Sequence, residues 1–158
     1  MGDKIYLRKR RMREIKDNGF DILQSSGMRA ERNWIQHGRT SVYHHSVRVA
    51  ILSLQIAELL NLSVDKRALI RGALLHDYFL YDWHEKDASH KWHGFHHAEK
   101  ARNNARRDFV ISDLESDIIE KHMFPLNRRL PRYRESQIVC VADKICSLEE
   151  IADGIWNF

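Results

Sequence analysis

From Val42 to Leu60 the apolar residues fall three and four apart, through Val42, Val49, Leu52, Ile56, Leu59 and Leu60. That spacing places them on one side of an α-helix. Thr40 and Ser41 stand just ahead as N-cap candidates, and the helix is expected to end near Asn61. A second helix follows from a cap at Ser63 or Asp65, turns Ala68, Leu69, Ala73 and Leu74 inward, and runs into His76 and Asp77. Between Tyr78 and Phe95 the chain crowds Tyr, Trp, His, Lys and Asp together without a period, which predicts an ordered loop of the kind that lines sites. Helix resumes from Ala98 to Arg107, from Ser112 or Asp113 to Lys121, and from Glu135 to about Ile151. The last of these offers Ile138, Val141, Ile145 and Leu148 as core positions. No stretch alternates convincingly as a strand, no repeat is visible, and proline occurs only at 125 and 131. The predicted class is all-α.

A chain of 158 residues, 43% of them hydrophobic, suffices for one core and is short for two. The pattern predicts a single helical domain over 21–158, preceded by a basic flank or helix over 1–20. No apolar run approaches a membrane span, the N-terminal MGDKIYLRKRRMREIK lacks a signal-peptide core, and Tyr6 stands where a myristoylation pattern wants Ser or Thr. The expectation is a cytoplasmic protein without a membrane partner. Cys140 and Cys146 lie six apart in an apolar helical segment, a spacing for core thiols rather than for a metal ribbon or a disulfide.

The net charge of +4 favours anionic partners. Arg8, Lys9, Arg10, Arg11 and Arg13 gather part of it, but without interleaved aromatics or a groove-reading motif they read as a solvated basic flank, and nucleic acid ranks last among partners. The ten histidines, spread through the middle of the chain, ask for a chemical explanation. His45, the adjacent His76 and Asp77, His97, His122 and Asp143 each fall on or at the end of a different predicted helix. Imidazole nitrogen and carboxylate oxygen in a fixed cage suit a divalent first-row metal, and a carboxylate can bridge two ions where an imidazole cannot. Asp77 is the candidate bridge. Neighbouring helical residues differ by about 100 degrees, so His76 and Asp77 can reach one cavity and still contact different ions. Plainer uses exist: His122 can cap a helix stop before Pro125, and Asp143 can pair with Lys144 or an arginine. An Asp within VCVADKIC is nonetheless costly to bury unless a cation meets it.

The ordered set HHSVRVA, LLHDYFL, HHAEKA, IIEKHMFPL and VADKICSLEE, covering most of the chain, resembles the HD-domain metal-dependent phosphohydrolases. The resemblance implies a compact helical bundle of the HD type. It implies a minimal site of His45, His76, Asp77 and Asp143, with His97 and His122 added as in the binuclear subgroup. It favours His45 over His44, and His97 over His93 and His96 because a small residue, Ala101, follows four positions later; His93 stays in competition.

On that reading His45, His76, Asp77 and Asp143 hold one ion and Asp77, His97 and His122 the other, the ions being Fe, Mn, Co or Zn. A metal-bridged hydroxide would attack a small phosphoester, such as a nucleotide. Arg48, one turn after His45, and Lys144, next to Asp143, are candidates to bind phosphate or orient ligands. His84, Lys86, His90 and Lys91 could neutralise phosphate, with His84 the candidate general acid. Trp83, Trp92 and Phe95 anchor the loop or stack a base, and Arg128, Arg129, Arg132 and Arg134 receive no role. The competing readings are a di-iron oxygenase of the same ligand type and a metal-containing nucleotide-binding module. Substrate, metal identity and oligomeric state are not legible in the chain.

Overall fold

The computed structural model describes residues 2–82 and 93–156. Its elements are α1 (Gly2–Gln24), α2 (Ser26–Ala30), β1 (Ile35–His37), β2 (Thr40–Ser41), α3 (Val42–Leu59), α4 (Lys66–Leu75), α5 (His93–Asp108), α6 (Asp113–Lys121) and α7 (Arg134–Trp156). The expected all-α class holds, with one addition. β1 and β2 pair antiparallel, Ile35 opposite Ser41 and His37 opposite Thr40, in a hairpin too short to show alternation in sequence.

α4 is the central element. Every residue from Ala68 to Leu75 is buried, so beyond Lys66 and Arg67 the helix has no solvent face and packs against α1, α3, α6 and α7. Ile15 and Ile22 of α1 are fully buried and Leu23 nearly so. At about 1.5–3 kcal/mol for each fully buried side chain, they bind the N-terminal helix into the same core. Arg11 of α1 donates to Glu58 on α3 at 2.6 Å, and Arg10 pairs with the same carboxylate. Three helices are joined through buried Arg71 on α4, which meets buried Glu115 on α6 at 2.6 Å and the exposed carboxylate of Asp21 on α1 at 2.7 Å.

The starts of the helices follow the sequence. Ser41 caps α3, Asp65 caps α4 with Oδ1 accepting from Ala68 N at 2.9 Å, and Ser112 with Glu115 forms a capping box on α6. α3 stops where Asn61 turns left-handed at φ 48°.

Four expectations are corrected. α7 runs from Arg134 to Trp156, and Val141, Ile145 and Leu148 are 50%, 38% and 68% exposed, with Ile138 alone of the expected positions buried. The inward face of α7 is instead Val139, Ala142, Asp143, Cys146 and Glu150, because this helix buries polar side chains toward the centre of the molecule. Leu59 and Leu60, at the C-terminal end of α3, are exposed, while Leu52 and Ile56 are half-buried against the core. α5 starts at His93, so the segment read as a loop to Phe95 gives way to helix earlier. Both cysteines are buried free thiols, as expected.

Candidate metal centre

Six buried side chains from five helices converge at one end of α4. His45 comes from the first turn of α3, His97 from the start of α5 and Asp143 from the middle of α7, while His76 and His122 occupy the C-caps of α4 and α6. Asp77 follows His76 directly. All six are at most 7% exposed.

The two C-caps use one device. His76 Nδ1 donates to Ala73 O at 2.7 Å, and His122 Nδ1 donates to Ile119 O at 2.8 Å. Each imidazole thereby satisfies a carbonyl that the helix leaves without an N–H partner. A carbonyl only accepts, so the proton is fixed on Nδ1 and the lone pair on Nε2 faces inward. His45 is oriented likewise: Nδ1 donates to Glu150 Oε2 at 2.9 Å, and Glu150 is itself 1% exposed.

The inward atoms are close. His45 Nε2 lies 3.3 Å from His76 Nε2 and 3.1 Å from Asp143 Oδ1, and His97 Nε2 lies 3.0 Å from His122 Nε2. Asp77 spans the two groups. Its Oδ2 is 3.4 Å from His76 and 3.7 Å from His45, and its Oδ1 is 3.3 Å from His97 and 3.5 Å from His122. His45, His76 and Asp143 can meet on one ion, and His76, Asp77 and His122 on another.

The donor chemistry fits a cation. His45 and His76, with their Nδ1 protons committed, would aim two lone pairs at each other across 3.3 Å unless a positive charge, a proton or a metal ion, lay between them. The C-terminal ends of α4 and α6 add negative potential at the same place. The ionisation equilibria point the same way. Burial pushes His45 down, but its hydrogen bonds to Asp143 and Glu150 lift it to about 9. Burial likewise opposes charge on His76, and the neighbouring Asp77 and Asp143 raise it well above the ordinary histidine value. Burial alone would raise Asp77 and Asp143; the surrounding imidazoles hold both well below the carboxylate range. His122 is lowered by burial, reinforced by His76 and His97.

Among the expected site residues, His44 is exposed and bonded to Ser41 Oγ, and His96 is exposed while its neighbour His97 is buried. Arg48 turns its guanidinium to Glu149 at 2.8 Å and to Glu150 at 3.2 Å, and so braces the carboxylate that holds His45. Lys144 lines the cavity, but its ammonium donates to His122 O at 2.9 Å, Cys140 O at 3.2 Å and Cys140 Sγ at 3.1 Å, which accounts for all three of its protons. His84, Lys86, His90, Lys91, Trp83 and Trp92 lie outside the described residues, as do the side chains of His93 and Phe95. Arg129 pairs with Glu120, and Arg134 donates to Ser63 O at 2.8 Å.

Sequence reasoning missed four residues at the centre. Glu150 sits seven residues after Asp143, two helical turns along the same face, a spacing visible in VADKICSLEE. Gln36 and His37 arrive on the unforeseen hairpin: Gln36 Nε2 donates to Asp77 Oδ2 at 2.5 Å, and the His37 ring packs edge-on to His45 at 5.5 Å between centroids. The hairpin can turn so tightly because Gly38 sits at φ 56°, where a Cβ would lie 2.5 Å from Glu150 O. Glu31, just after α2, is fully buried, and neither carboxylate oxygen has a hydrogen-bond partner among the described residues.

The centre opens into a cavity of about 740 Å³ whose lining includes Asp77, His97, His122 and Asp143. Gln36 and His37 of the hairpin also line it, as do the apolar side chains of Met123, Pro125, Leu126 and Leu148.

Neither the curated proteins nor the solved structures gave a significant match to this chain. The family profile described as HD domain matches residues 42–148, a span that runs from the start of α3 through most of α7 and contains all six converging side chains. The chain therefore belongs to the HD domain family, a superfamily of metal-dependent hydrolases.

Proposed function

We propose that this chain is a metal-dependent phosphohydrolase that cleaves a small phosphoester at a binuclear centre. His45, His76 and Asp143 would hold one ion, His97 and His122 the other, and Asp77 would bridge them. The observation that carries the reading is the placement of Asp77, whose two oxygens face two different imidazole groups. A mononuclear site would leave one of those groups without a use.

Divalent ions held there supply Lewis acidity, both acidifying water toward neutral pH and clamping the oxygens of a phosphoester. The protein's share of the work is orientation. Ala73 O, Ile119 O and Glu150 fix three imidazole tautomers, Gln36 holds Asp77, and Ser147 Oγ donates to Asp143 Oδ1 at 3.3 Å. Because the protons of Lys144 are already engaged and Arg48 faces Glu149 and Glu150, recognition of phosphate rests on the metals rather than on these two cations.

The test is phosphate release from a panel of phosphomonoesters and phosphodiesters by protein reconstituted separately with manganese, ferrous iron, cobalt and zinc, with and without oxygen. Release without oxygen, reduced about a hundredfold or more in Asp77→Asn, is the expected result. Oxygen consumption by the iron form with no phosphate release would assign the centre to oxygenation instead, and tight nucleotide binding without turnover would make it a binding module.

A further inference from the structure

Resting on the phosphohydrolase reading, we infer that the substrate is amphipathic: a single phosphoryl group attached directly to an apolar, aryl-sized or branched-alkyl body, not a nucleoside polyphosphate. The cavity is lined by two unlike sets of side chains. The polar donors of the centre share its lining with Met123, Pro125, Leu126 and Leu148, none of which has a hydrogen-bonding side chain. At about 740 Å³ the space exceeds what one phosphate needs, leaving room for a substrate body against those four apolar side chains.

The charge balance agrees. The one lysine or arginine among the described residues lining this cavity is Lys144, and its ammonium is already bonded to two carbonyls and a thiol. Arg129 and Arg132, which could follow a polyphosphate chain, line a different hollow with Asp117 and Glu120. Arg129 is paired with Glu120 there. Against Met123, Pro125, Leu126 and Leu148 a second or third phosphate would meet hydrocarbon and lose its hydration there. Leu126 and Leu148 are 46% and 68% exposed, apolar surface that an apolar substrate body would cover.

The experiment is calorimetric binding of non-hydrolysable probes to metal-loaded protein: phenylphosphonate, methylphosphonate and the α,β-methylene analogue of ADP, with chelator-treated protein as control. Phenylphosphonate is expected to bind about tenfold or more tightly than either of the others. That preference should shrink severalfold in Leu126→Ser and Leu148→Ser, whose positions are exposed enough to leave the fold intact. Equal or tighter binding of methylphosphonate or the ADP analogue, with metal dependence preserved, would overturn the apolar-substrate inference and leave the phosphohydrolase reading standing. Absence of metal-dependent binding by all three would overturn the reading itself, and the inference with it.

Discussion

Glu150 reaches His45 from 105 residues away in the chain and fixes which nitrogen of that imidazole carries the proton. Partners of this kind tune a metal site as strongly as its ligands' own geometry. Glu150→Gln, which keeps the shape and weakens the acceptor, is expected to lower metal affinity by about 10- to 100-fold in a chelator competition titration while circular dichroism stays unchanged. Glu31 poses the opposite case. Burial, followed by the nearby charge of Asp77, raises its carboxyl well above the ordinary value. A carboxyl raised on folding binds more protons in the folded than in the unfolded state, so its contribution falls as pH rises above the unfolded value of 4.5. Thermal melts of metal-free Glu31→Gln should therefore run above wild type by about 3 °C or more at pH 8 and converge with it below pH 4.5. A constant offset across that range would show that folding leaves the Glu31 carboxyl at its unfolded value. His45, His76, Asp77, His122 and Asp143 were visible in sequence as polar residues placed where helices turn or where apolar neighbours make them costly. Glu31 and Gln36 gave no such signal, because their burial depends on where a short connection folds back.

α3, α4 and α6 were legible because their caps and their apolar spacing agree. α7 was not, and the reason is geometric. Counting apolar residues selects Ile138, Val141, Ile145 and Leu148, whereas the buried face is Val139, Ala142, Asp143, Cys146 and Glu150. At about 100 degrees per residue these stripes lie roughly a third of a turn apart. A helix that points acids into the molecule breaks the rule that its greasy side faces in. The hairpin escaped for a different reason: β1 and β2 are held by a turn rather than by a pattern. Gly38 is the test of that element. A methyl group there would occupy left-handed backbone and press on Glu150 O, so Gly38→Ala is expected to lower the melting temperature by about 3–8 °C and to weaken metal binding by displacing Gln36 and His37. A variant that melts with wild type would show that the turn does not hold the hairpin against α7.

The molecule as a whole is built around α4, whose C-terminal end delivers His76 and Asp77 to the point where α3, α5, α6 and α7 bring their own donors. The Arg71 triad fixes α6 on α4, and with it the distance between the two C-cap histidines, whose rings meet edge-on at 4.8 Å between centroids. Among the described residues, no helix is long and apolar enough to cross a membrane. The basic N-terminal segment, read as a flank or helix, forms α1 and joins the core through Ile15 and Ile22, a placement that local charge density could not show.

Metal analysis of untagged protein after reconstitution, on wild type and on His122→Ala, tests the binuclear centre most directly. About two ions per chain in wild type, falling to about one in His122→Ala with helicity preserved, is the predicted result. At most one ion in wild type, unchanged in the variant, would contradict it and leave His97 and His122 as a structural pair.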